Sequence, residues 1–85
     1  MPSFQGSLIL DAGRKLALLQ QPGSPPLPMI SDMSDSCDYT VSQLVAAYNF
    51  FKKNYQANQP LTIQGHACAP DTGGARILHV AQVTP

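Results

Sequence analysis

Thr40-Val41-Ser42-Gln43 has the form of a helix capping box, with a cap hydroxyl and a glutamine three residues later. Tyr39 and Leu44 then occupy the staple positions on either side of the cap. Beyond it, Val41, Leu44, Val45, Tyr48, Phe51 and Tyr55 recur at three- and four-residue steps and make one apolar stripe. Lys52 and Lys53 fall near the end, where cations suit the helix dipole. Asn58 tolerates a left-handed cap and Pro60 forbids continuation. The pattern predicts one helix over residues 41–56. Everything else in the chain has to be built around it.

The flanks read as strands. Residues 3–10 form one. Asp11-Ala12-Gly13 suits a short turn with glycine in the left-handed region, and residues 14–20 return as a second strand. The competing reading is a helix over residues 11–21, since Ala, Leu, Lys and Gln favour helices. Gly13 near its start and Pro22 beyond its end would leave it short and poorly capped, so the hairpin is preferred. Residues 21–38 carry four prolines between Pro22 and Pro28 and read as a stiff strap crossing the sheet, with Leu27, Met29 and Ile30 tucked against the core. A partner-binding loop is the alternative for this segment. After the helix, residues 61–67 alternate apolar and polar, residues 69–74 are dense in turn formers, and residues 75–83 read as the last strand. The expected fold is a single α+β domain, ββαββ, with a four-stranded antiparallel sheet and the helix on one face.

That arrangement leaves apolar surface uncovered. Side chains alternate along a strand, yet several strands are apolar at both parities. A helix of this length is about 24 Å long and about 10 Å wide, too narrow for four strands spaced about 4.8 Å apart. The surplus face is expected to carry Ile9, Ala17, Leu19, Ile77, Ala81 and Val83. Apolar faces of this kind usually mark a partner surface.

The charge balance narrows the functional classes. The chain has 85 residues, 44% of them hydrophobic, only 12% charged, and no net charge. It is too apolar for disorder and too sparsely charged to repel its own copies. Arg14, Lys15, Lys52, Lys53 and Arg76 do not form the basic stripe of a nucleic-acid binder, although the first four could converge into a minor patch. Asp32, Asp35 and Asp38 lack the glycine turn and closing glutamate of a calcium loop, and the chain has no glutamate at all. They read as solvated charge before the helix, with Asp38 near its N-terminal dipole. Gly73-Gly74 is a hairpin tip, since no helix and no Gly-Lys-Ser/Thr follows it. The N-terminal residues lack a basic, then apolar, leader pattern, and no apolar run approaches the ~20 residues of a membrane span. The expected location is cytoplasmic, without membrane insertion.

Cys37, Cys68, His66 and His79 are every cysteine and histidine in the chain. As ligands they suit zinc, but His-x-Cys with one distant cysteine and one distant histidine matches no common zinc module. Cys68 as a nucleophile beside a histidine base, with Asp71 orienting it, would need a pocket and a local signature that the sequence does not show. With no secretory leader pattern, the cysteines read as small buried thiols, a disulfide closing a long loop between Cys37 and Cys68 being the alternative, and no cofactor is expected. Residues 61–66 after the helix, with Asp71 and Arg76, resemble part of an OmpA-like peptidoglycan-binding domain. The helix that carries the family's arginine is replaced here by a glycine-rich turn and a strand, so none of its binding residues transfer.

The expected function is non-enzymatic protein–protein interaction through the surplus face or a strand edge. Self-association as a homodimer is its simplest form, and an accessory subunit, inhibitor or adaptor, including those of phages and mobile elements, is the wider class. The alternatives are a nucleic-acid-associated protein using the five basic residues, and a zinc or thiol protein using Cys37, His66, Cys68 and His79.

Overall fold

The first strand is shared by two neighbours. In the computed structural model, which describes residues 2–31, 37–71 and 73–85, β1 (Ser3–Asp11) pairs antiparallel with β2 (Leu16–Gln20) along its second half. Its first half pairs antiparallel with β4 (Pro60–Cys68), and Ser7 lies opposite both Gln20 and Pro60. The hairpin reading of residues 3–20 therefore holds against the helical one. Its turn differs in detail. Lys15, at φ 57°, takes the left-handed conformation expected of Gly13. The Asp11 carboxylate fixes the turn by accepting from the Arg14 backbone N–H at 3.1 Å and from Arg14 Nε at 2.8 Å.

The strap contains a strand, and this corrects the expected sheet. Leu27–Ile30 forms β3, which pairs antiparallel with β2 through Leu18 and Leu19 and parallel with β5 (Ile77–Thr84) through Leu78 and His79. The result is a closed five-stranded barrel in the order β1-β2-β3-β5-β4, not an open antiparallel sheet of four. Pro28 obscured the strand because it has no N–H for a ladder. It sits where β3 passes from one neighbour to the other, pairing with Leu18 just before Met29 and Ile30 turn to β5.

Closure also dissolves the surplus face. The barrel interior is filled by Leu8, Ala17, Leu19, Met29, Leu61, Ile63, Leu78 and Val80, with Phe51 of the helix among them. Ala17 and Leu19 thus face the core, opposite Leu10 and Leu8. Ile9 lies opposite Leu18, on the other side of the same strand. In β5 the parity changes partway. Val80 pairs with Gly65 and Gln82 with Gln64, so Ala81 is an extra, exposed bulge residue and Val83 returns to the inner side opposite Ile63. Ile77 has the outer parity, yet it is buried, as are Leu18, Ile30 and His79. The six residues expected on one open face are split between core, outer layer and bulge.

Helix α1 (Val41–Asn54) packs on β1, β2 and β3 and buries Ala47, Tyr48 and Phe51. Its capping box is complete. Thr40 Oγ1 accepts from the Gln43 N–H at 3.3 Å, and Gln43 Oε1 accepts from the Thr40 N–H at 2.6 Å. The helix stops two residues earlier than expected. Tyr55 is extended, and the left-handed Asn58 belongs to the following turn. Val41, expected in the buried stripe, is 75% exposed. The other large exposed apolar side chains among the described residues are Tyr39 and Phe50. Val41 and Phe50 lie on opposite sides of the helix, since nine residues amount to two and a half turns, so the two form no common patch. No helix among the described residues is long and apolar enough to cross a membrane.

Two glycines permit the tight barrel. A Cβ on Gly6 would collide with the backbone carbonyl of Gln20, and one on Gly65 with that of His79. Both mark places where neighbouring strands come closer than a side chain allows. Gly65→Ala and Gly6→Ala are each expected to lower the unfolding free energy by about 1–3 kcal/mol, the usual cost of overpacking. Urea titration of the single variants checks this, and Gly23→Ala, where the turn is open but φ is 74°, separates backbone strain from collision.

Candidate functional site

Past Gly65, the alternation of β4 sends Ala67 toward the core and His66 and Cys68 to the outer side. In β5, Leu78 and Val80 face inward, so His79 joins them. His66 and His79 are direct cross-strand partners, and their rings stack with centroids 4.7 Å apart and planes within 4°. The ligand atoms of His66, Cys68 and His79 all lie within 4.8 Å of one another. His79 is fully buried, while His66 and Cys68 are half-buried at the margin.

The fourth member comes from the segment before the helix. Cys37 forms a disulfide with Cys68, with Cα atoms 5.8 Å apart, well inside the span a disulfide bridges. This corrects the expectation of two free thiols. That expectation rested on the compartment, whereas the bond joins the segment before the helix to the end of β4. Such bonds persist in oxidising compartments and are rare in a reducing cytosol, which bears directly on the cytoplasmic expectation. It also bears on nucleophilic chemistry, because sulfur held in a disulfide presents no thiolate. Asp71, the expected orienting group, is exposed.

The basic residues converge only in part. Lys15 Nζ and Lys52 Nζ approach the Tyr48 ring, at 5.4 Å and 5.8 Å from its centroid, within the range of cation–π attraction. Arg14 is turned to Asp11, and its hydrogen bonds hold the Asp11 carboxyl below its ordinary value. Lys53 is exposed beside Lys52. Arg76 lines a separate pocket with Gln21, Ser24 and Leu27. Of the three aspartates noted before the helix, Asp32 and Asp35 lie outside the described residues.

A feature that sequence reasoning missed is an open groove across β1, β2 and β4. Its lining is more apolar than polar: Gln5, Ser7, Gln20, Gln21 and Thr62 alternate with Pro22, Pro60, Leu61 and Pro85, and no charged or aromatic side chain takes part. Gln5 and Thr62 are cross-strand partners. Gln20 Nε2 donates to the carbonyls of Gln21 at 3.1 Å and Ser24 at 2.8 Å, which holds the turn forming one edge. The alternation of Gln5 and Ser7 with Phe4, Gly6 and Leu8 was visible in the sequence. Which strands would stand beside them was not. No family model, curated protein or solved structure matches this chain.

The disulfide closes a loop of 31 residues, for which chain entropy gives about 3–4 kcal/mol. The double variant Cys37→Ser/Cys68→Ser is expected to lose roughly that much stability in guanidinium titration, as is the wild type after reduction. An unchanged midpoint in both would show that the bridge does not constrain the fold.

Proposed function

We propose that this protein is a non-enzymatic binding module that takes an extended, uncharged peptide segment of a protein partner in the groove across β1, β2 and β4. The supporting observation is the groove's chemistry. Side-chain amides and hydroxyls of Gln5, Ser7, Gln21 and Thr62 supply donors and acceptors, while the amide nitrogen of Gln20 is committed to the turn, and there is no cation to favour phosphate and no aromatic face to stack a base or sugar. An extended peptide offers unpaired backbone N–H and C=O groups at a spacing that alternate strand residues match. The expected homodimer through a sheet face loses its basis, because closure of the barrel leaves no such face among the described residues.

A second reading has one observation in its favour. The strand order, with the helix between the third and fourth strands, has the topology of oligonucleotide- and oligosaccharide-binding barrels. Lys15 and Lys52 meet at Tyr48 beside the β1–β2 turn, one of the loops such barrels use. Topology alone assigns no ligand, and the cations are few.

Selection of a displayed peptide library on the intact protein distinguishes the two. The expected outcome is enrichment of uncharged peptides whose affinity falls by more than about tenfold, or 1.4 kcal/mol, in Gln5→Arg and Thr62→Arg, with little salt dependence. Peptides indifferent to both substitutions would overturn the groove reading. Salt-sensitive retention of single-stranded DNA or RNA, lost in Lys15→Ala/Lys52→Ala, would replace it with the second.

A further inference from the structure

The outer side of the β4–β5 pair holds a donor set that the disulfide conceals. Cys68 and His66 are two residues apart on one strand, His79 lies directly opposite His66, and the disulfide holds Cys37 Sγ against Cys68 Sγ. These residues comprise every thiol and imidazole of the chain. We propose that, once the Cys37–Cys68 disulfide is reduced, Cys37, His66, Cys68 and His79 bind one zinc ion as a Cys₂His₂ site.

The argument is geometric first. A tetrahedral zinc with Zn–S near 2.3 Å and Zn–N near 2.0–2.1 Å places its ligand atoms about 3.3–3.8 Å from one another. The ligand atoms of His66, Cys68 and His79 already lie within 4.8 Å of one another. The stacked His66 and His79 rings, 4.7 Å apart and within 4° of parallel, hold their in-plane lone pairs side by side. Binding therefore requires the rings to rotate until one nitrogen of each points at a common centre, with a contraction of about 1 Å in that set and a separation of the two sulfurs once their bond is gone. Three of the four ligands stand on the paired strands β4 and β5, and Gly65 brings the strands together at the residue before His66. The fourth ligand, Cys37, is not in a strand or helix, and its Sγ has to leave Cys68 Sγ and close on the two imidazoles.

The chemistry balances with a dithiol as reductant. Its two thiols transfer two electrons and two protons to the bridge, giving a cyclic disulfide and two free thiols at Cys37 and Cys68. Zinc then displaces those two protons, and two thiolates with two neutral imidazoles leave the site with no net charge. Cys37 and Cys68 thus hold the fold together by a covalent bond under oxidising conditions, and the same two cysteines with His66 and His79 hold it by a metal under reducing ones. Each state excludes the other, because a sulfur in the disulfide has no thiolate to offer.

Cobalt provides the direct test. The protein is reduced with dithiothreitol, freed of it by anaerobic desalting, and titrated with Co²⁺ and then Zn²⁺. The expected result is one Co²⁺ per chain, with the visible bands of a tetrahedral centre and a thiolate charge-transfer band, all removed by stoichiometric Zn²⁺. The oxidised protein should show none of these. Zinc should raise the thermal midpoint of the reduced protein and leave that of the oxidised protein unchanged. His66→Ala, at a half-buried position that tolerates truncation better than the fully buried His79, should weaken binding by more than about tenfold and remove one nitrogen from the coordination shell. Failure of reduced wild type to bind stoichiometric metal would overturn the proposal. So would binding with unchanged affinity and spectrum in His66→Ala, which would mean that the thiols alone hold the ion.

Discussion

Closure of the barrel depends on one short parallel contact, that of Met29 and Ile30 in β3 with Leu78 and His79 in β5. The other strand pairings are antiparallel, and that of β2 with β3 is equally short, through Leu18 with Pro28 and Leu19 with Leu27. Without this one, the chain would be an open sheet with apolar residues on both sides and a single helix to cover them. With it, the inward parity of all five strands meets around a common axis and the helix contributes Phe51 as one more core side chain. The outer position of Ile30 and the buried position of His79 follow from the same pairing.

How much of this was legible depended on the range of the interaction. The capping box, the β1–β2 hairpin, β4 and β5 were readable because their signals are local: a hydroxyl and an amide three residues apart, a turn between two apolar runs, a strict alternation. The strand at Leu27–Ile30 was not. Its four residues sit behind a proline cluster and include Pro28, and their strand character comes from partners on either side rather than from their own propensity. Missing that strand converted a barrel interior into an apparent exposed face. Leu19 and Ala17 are as apolar as expected, but they face Leu8 and Leu10 across a closed core. The parity break at Ala81 was equally invisible, since a bulge is a relation between two strands.

The candidate site divides in the same way. The sequence identified Cys37, His66, Cys68 and His79 as the residues with ligand chemistry, and the strand alternation put His66 and Cys68 on one side. It could not show that Cys37 returns to them, because a pairing between cysteines 31 residues apart leaves no local signal. The groove on β1, β2 and β4 is the reverse case. Its residues are unremarkable glutamines, a serine and a threonine, which acquire meaning only when the barrel lays them side by side.

The disulfide also divides the chain mechanically. Cys37 and Cys68 bracket the helix and nearly all of β4, so a pull applied at the two ends passes from one sulfur to the other and bypasses everything between. At about 3.4 Å per residue, the 31-residue separation withholds roughly 100 Å of contour length from extension. Tension would strip the first three strands and the last one while the helix and its following strand stay slack inside a covalent ring. A cut in the turn at residues 56–59 would leave the two halves joined.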